Sequence, residues 1–187
     1  MSQAYNDNKA VQAAAIFIDL EGGTIDKYKL CKLMYYLERQ TLVLTGQLLF
    51  HSDLFSIKHG PVASEVNDAI NTVLPSENFR PLFSDQYSRW FNYFKKVSKY
   101  GISSVANPGD DELSEADIDL IKEISVQFEN YDHKQLKAFF DNLPEHTKTD
   151  TRIPISFEDI LKAEGFPEEE IEELREEYSY YLELISA

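Results

Sequence analysis

From Ile25 to Thr45 the chain carries an apolar stripe of the kind a buried α-helix presents. Leu30, Leu33, Met34, Leu37, Thr41 and Leu44 recur at intervals of three and four, and Gly46 marks the stop. Tyr35, Tyr36, Leu42 and Val43 widen the apolar arc well beyond one face. A helix apolar around much of its circumference belongs at the centre of a domain. Burying Leu30, Leu33, Met34, Leu37 and Leu44 contributes roughly 1.5–3 kcal/mol each before ordering entropy is subtracted. The rest of the fold is expected to wrap this pillar.

The flanking segments read as further helices with brief extended breaks. An Ala-rich helix over about Asn8–Leu20 closes at Gly22-Gly23, and Thr24 is placed to cap the pillar. Leu54–Lys58 alternates as a short strand, and Pro61 suits the first position of a third helix bearing Val62, Val66, Ala69, Ile70 and Val73. A second extended run, Tyr100–Ala106, is expected to pair with Phe55–Lys58 in a minimal sheet. Ser114 and Asp132 are expected to cap helices, the second with Gln135 in a capping-box arrangement. A short helix from Ser156 to Gly165 and a last one after Pro167 form a C-terminal pair. The expected fold is mainly α with a minimal β element of two or three strands, compact around the central helix.

A chain of 187 residues can bury a substantial core, and its one cysteine excludes an internal disulfide framework. Cys31 lies inside the helical stripe, where a buried thiol is the expected role. No stretch approaches the roughly 18 apolar residues of a membrane span, and the apolar run near the N-terminus is interrupted by Asp19 and Glu21. A cytoplasmic setting is expected, with no membrane partner. Net charge is −15, with the acids concentrated after residue 107. That charge repels nucleic acid, and no basic recognition helix is evident.

Catalytic constellations are sparse. His51, His59, His133 and His146 fall in no metal-ligand spacing, and phosphate-loop and nucleophile-elbow motifs are missing. The reading is a binding protein: no enzyme, no cofactor, no metal. Candidate contacts come from two places. Phe83, Tyr87, Trp90, Phe91 and Phe94 share one helical face within a segment holding eight aromatics between Phe79 and Tyr100. An aromatic stripe is either core or a recognition surface, and Tyr87, Trp90, Phe91 and Phe94 are nominated as partner contacts. Lys58 and His59, just before Gly60-Pro61, are nominated beside them.

The run Lys32-Leu33-Met34-Tyr35-Tyr36, the element Ile57-Lys58-His59-Gly60-Pro61-Val62 and the helix start near Leu113–Asp117 together resemble the Panacea, SocA-like antitoxin domain. The resemblance covers about Lys9–Leu143 and fades beyond Leu136. It places a Panacea-like domain over 1–150, with 151–187 as an acidic helical extension packed on it. It implies an antitoxin that neutralises a protein toxin, encoded nearby, by direct binding. A homo-oligomer stays open. The alternative is an acidic adaptor or DNA mimic of a phage or mobile element that inhibits or delivers another protein.

Overall fold

The computed structural model describes residues 5–75 and 89–186. Its centre is the expected pillar, α2 (Lys27–Thr45), in which Leu30, Leu33, Met34, Tyr35, Leu37 and Leu42 are fully enclosed. Gly46 ends it with a left-handed φ of 72°. In the last turn the covered side has rotated to Thr41 and Leu42, which leaves the expected core residue Leu44 67% exposed. Helix α1 (Asp7–Leu20) packs on α2, and its Ala10, Ala13 and Ala14 have no exposed surface. Small side chains there let the two backbones approach closely.

Two three-stranded antiparallel sheets flank the pillar. The first joins β1 (Thr24–Asp26), β5 (Gly101–Ser104) and β4 (Phe94–Lys96) in the order β1-β5-β4. The second joins β3 (Gly60–Ala63), β2 (Leu54–Ile57) and β6 (Ile153–Pro154) in the order β3-β2-β6. The two extended runs expected to pair with each other therefore lie in different sheets. Ser103 pairs with Thr24 and Lys95, whereas Phe55 pairs with Val62 and Pro154. Short apolar runs specify strands without specifying partners, and the partners here come from distant segments.

Two local expectations are corrected. Thr24 lies in β1, and Asp26 is the cap of α2, its Oδ1 accepting from the amides of Tyr28 and Lys29. Pro61 lies in β3, and helix α3 (Ser64–Val73) begins three residues later. Gly60, at φ +91°, allows the chain to turn through Lys58-His59 and return beside β2. Proline is tolerated there because β3 is an edge strand, where a missing donor on the open side costs nothing.

After α4 (Trp90–Tyr93), helix α5 (Glu115–Phe128) packs on α1 and α2, and α6 (His133–Asp141) on α2 and β3. Capping boxes start both, Ser114 with Asp117 and Asp132 with Gln135. Phe128 and Phe140 are fully buried, and with Tyr36 and Phe139 they form an aromatic cluster with centroids 5.0–5.9 Å apart. Helices α7 (Phe157–Ala163) and α8 (Glu168–Ser186) form the C-terminal pair, and Ile160, Leu161 and Ile171 join the main core. No helix among the described residues is long and apolar enough to cross a membrane.

Candidate interaction surface

Beneath the surface, α2 carries charged groups inside the core, each with a distant partner. The Lys32 ammonium is 1% exposed and donates to the carbonyl of Pro61 at 2.7 Å. Burial pushes it down to about 7, although the Asp141 carboxylate favours its charge. Glu38 is fully buried, and its two oxygens accept from the amides of Phe50 and Ser52, each at 2.9 Å. Its carboxyl is pushed up to about 7 by that burial, while the amides pull the other way. Glu65 holds the same loop from α3, accepting from the Ser52 hydroxyl at 2.7 Å and the Asp53 amide at 2.9 Å. Arg39 bridges Glu145 and Glu164, and the Tyr35 hydroxyl also donates to Glu145. These contacts fix the β2-β3 hairpin, the loop before it and the segment after α6 against one helix.

His51 sits in that loop at φ 54°, with Nδ1 2.9 Å from the Tyr178 hydroxyl and its ring stacked on Tyr178. Burial lowers its imidazole to about 4. This contact, with the Phe157–Tyr178 stack, seats α8 near the C-terminal end of α2. Cys31 is buried, and burial raises its thiol to about 11, so it holds its proton at neutral pH. Among the described residues no group of three or more His, Cys, Asp or Glu side chains could hold a metal ion. Among the described residues a surface groove of about 540 Å³ lies beside Tyr131 and Phe139, and another of about 450 Å³ beside Asp7 and His51.

The opposite end of α2 is where Lys58 and His59, two of the sequence-nominated residues, lie. The amide of Lys27 donates to the Tyr100 carbonyl at 2.7 Å, which anchors the β4-β5 hairpin. The next residue, Tyr28, reaches the His59 carbonyl with its hydroxyl at 3.5 Å and packs against His133 with centroids 4.5 Å apart and the rings tilted by 46°. Both hairpin tips thus flank the first turn of α2. Lys58 and His59 are exposed there, and Lys58 pairs with Asp150 at 3.1 Å in full solvent, a contact worth little.

The aromatic nominees divide sharply. Trp90 and Phe94 are 1% and 2% exposed, and the indole Nε1 donates to Asp7 at 2.8 Å. In this fold they are core, because α4 is a single turn whose inner side closes over α1 and α3. Phe91 points outward and is 53% exposed. Tyr87 lies outside the described residues. Sequence reasoning missed Val97, Tyr100 and Val105, which are exposed with Phe91. Their signal was the short alternating hairpin between Phe94 and Ser104, hidden by reading Phe83–Phe94 as a continuous helical stripe.

The family model of the SocA-like antitoxin, Panacea domain, matches residues 30–147, well over half of the chain. This chain belongs to the Panacea family. The match opens inside the pillar and stops just past Glu145 and His146, the two side chains that tie the segment after α6 to Arg39 and Ser56. The Panacea match thus takes in both hairpins and leaves α7 and α8 outside. No curated protein and no solved structure matches the chain.

Proposed function

We propose that this chain is an antitoxin that neutralises a cognate protein toxin, encoded by an adjacent gene, through direct protein–protein binding and without catalysis of its own. Membership of the Panacea family carries the reading. The architecture supports it physically. A pillar tied by buried ion pairs and hydrogen bonds gives a rigid frame, and surface residues on the hairpins can change without disturbing that frame. Binding occludes the toxin's working surface, so the chain needs no cofactor. Phe91, Lys58 and His59 stay nominated as contacts, and Tyr87 with them. Residues 151–187 act as an extension of the same domain, in a cytoplasmic protein.

Co-expression tests this. The product of the neighbouring open reading frame should arrest growth alone, be harmless beside this chain and co-purify with it. A neighbour that is harmless alone, or that stays lethal in the presence of this chain, overturns the reading.

A second reading draws on α8, which carries eight Glu and one Arg. An acidic adaptor or DNA mimic would use that helix to occupy a basic surface on another protein. Competition between this chain and duplex DNA for a bound enzyme is the outcome that favours it.

A further inference from the structure

Charge is distributed unevenly over this molecule. Residues 89–107 hold Arg89, Lys95, Lys96 and Lys99 and not one Asp or Glu, in a chain of net charge −15. Lys95, Lys96 and Lys99 are exposed and make no ion pair among the described residues.

The strand register shows what accompanies them. Val97 donates its amide to Gly101 at 2.9 Å and Val105 to Tyr93 at 2.7 Å, and Lys95 lies opposite Ser103 between them. Successive side chains alternate between the two faces of a strand. Ile102 and Ile25, paired across β5 and β1, point into the core. The neighbouring ranks therefore turn Lys95, Val97 and Val105 the other way, and Val97 and Val105 are 46% and 47% exposed. Tyr100, at the hairpin tip, is 57% exposed, and Phe91, on the turn of α4 that leads into β4, is 53% exposed. Exposed apolar residues scattered singly need no explanation. Val97, Tyr100 and Val105 on one short hairpin, with Phe91 on the turn of α4 before it and the lysines Lys95 and Lys99 among them, the latter over the Tyr100 ring at 5.0 Å, have the composition of a recognition patch.

We propose that this face of the β4-β5 hairpin is where the partner docks, and that the docking segment is an acidic stretch of protein with apolar side chains among its carboxylates. The inference rests on the antitoxin reading and adds the position and chemistry of the contact. One carboxylate of the same sheet, Asp26 opposite Gly101, shares the face, where it is engaged as the cap of α2, and the lysines outnumber it. The hairpin is anchored at the first residue of α2 and α8 is seated near the last, so 19 residues of helix, about 28 Å, separate the two anchor points. That exceeds three screening lengths of about 8 Å at physiological salt. The part of α8 seated through Leu174 and Tyr178 is thus anchored beyond screening range of the hairpin's own anchor. A nucleic acid fits less well, because a polyanion longer than the patch runs on past it towards the acidic remainder. A short acidic protein segment ends where the patch ends.

The test uses the full chain and the product of the neighbouring open reading frame, purified separately, with affinity measured at low and high salt. K95E/K99E should weaken binding by at least about tenfold, chiefly through slower association, and wild-type affinity should fall as salt rises; Lys96 lies opposite Ile102, on the other side of the strand, and K96E should have the smaller effect. F91A/Y100A should weaken it comparably through faster dissociation, and it reads the same face if the charge reversals fail to fold. E176K/E177K on α8 should stay within about twofold of wild type. If wild type neutralises the toxin while both hairpin variants bind within about twofold of it, the antitoxin reading survives and the docking face is wrong. Failure of the wild-type chain to bind or neutralise overturns both. Lysine-dependent binding of a 20-nucleotide probe, or lysine-dependent self-association, overturns the acidic-protein assignment.

Discussion

The Nε of Arg39 donates to Oε1 of Glu145 at 2.7 Å, with the two side chains 3% and 0% exposed. One contact thereby joins the middle of α2 to a residue 106 positions later in the chain. A buried pair of this kind adds little net stability over a well-packed apolar pair, since both ions must leave water. Its effect is on register: the segment after α6 has one place where its carboxylate can be satisfied.

Removing one partner exposes that dependence. Glu145→Gln leaves Arg39 without its buried anion, with only the partly exposed Glu164 to pair it, and weakens the bond from Tyr35, so we expect a loss of about 3 kcal/mol. Glu164→Gln touches the same guanidinium from a side chain 37% exposed, where water can substitute, and should cost below about 1 kcal/mol. Urea unfolding of the two variants distinguishes them. Equal losses would mean that the network does not depend on burial.

Adjacent aromatics should behave as opposites. Trp90→Ala empties a core position and removes the shorter of the two hydrogen bonds to Asp7 Oδ1, whose carboxyl is already raised by burial, and should cost about 3–5 kcal/mol. Phe91→Ala removes a ring that faces solvent and should stay within about 0.5 kcal/mol. Thermal melts of the free chain provide the comparison, and comparable losses at both positions would erase the division between core and surface.

That division marks where the sequence stopped being legible. The pillar, its left-handed stop at Gly46 and the caps at Ser114 and Asp132 follow from local spacing and local hydrogen bonds, and these were readable. Trp90 and Phe94 share a helical face on paper, yet the helix ends between them, and Phe94 opens a strand whose partner is set by Ser104. The stripe does not mark Lys32, Glu38 and Arg39 as buried, although they are charges on a helix apolar around much of its circumference. Their partners Pro61, Phe50 and Glu145 lie 12 to 106 residues away, and no local rule reaches that far. The same limit applies to the convergence of the two hairpin tips on Lys27 and Tyr28.

Two glycines separate backbone strain from crowding. Gly22 has φ +81° with open space where a side-chain methyl would sit, whereas Gly60 has φ +91° and a Cβ there would meet Lys32 Nζ at 3.0 Å and Asp141 Oδ1 at 3.4 Å. Gly22→Ala should cost about 1–2 kcal/mol from the left-handed conformation alone. Gly60→Ala adds displacement of a buried ammonium from the Pro61 carbonyl, and should cost at least about 1 kcal/mol more. Chemical denaturation of both variants measures the difference, and an equal cost would show that Lys32 yields freely.

Lys32 and Glu38 should shape the pH dependence of stability in opposite directions. Lys32 has a native value near 7 against an ordinary 10.5. Between those values the unfolded chain binds a proton that the native chain lacks, so stability rises with pH, by at most about 1.4 kcal/mol per unit. Glu38 has a native value near 7 against 4.5, so across that window the native chain holds the extra proton and stability falls as pH rises. His51, lowered from 6.5 to about 4, works against Glu38 in the acid range, since the unfolded chain there carries the added proton and stability falls on acidification. Differences between wild type and single variants isolate each contribution. Relative to Lys32→Met, wild type should gain stability between pH 7 and about 10 and run parallel to it below pH 6. Relative to Glu38→Gln, wild type should lose stability between about pH 4.5 and 7 and run parallel above pH 8, whatever the fixed cost of placing an amide against Phe50 and Ser52. Urea titrations of the three proteins at pH 5, 7 and 9 suffice. A Lys32→Met protein that keeps the full wild-type rise between pH 7 and 9 would show that the ammonium under Pro61 is not the group that titrates.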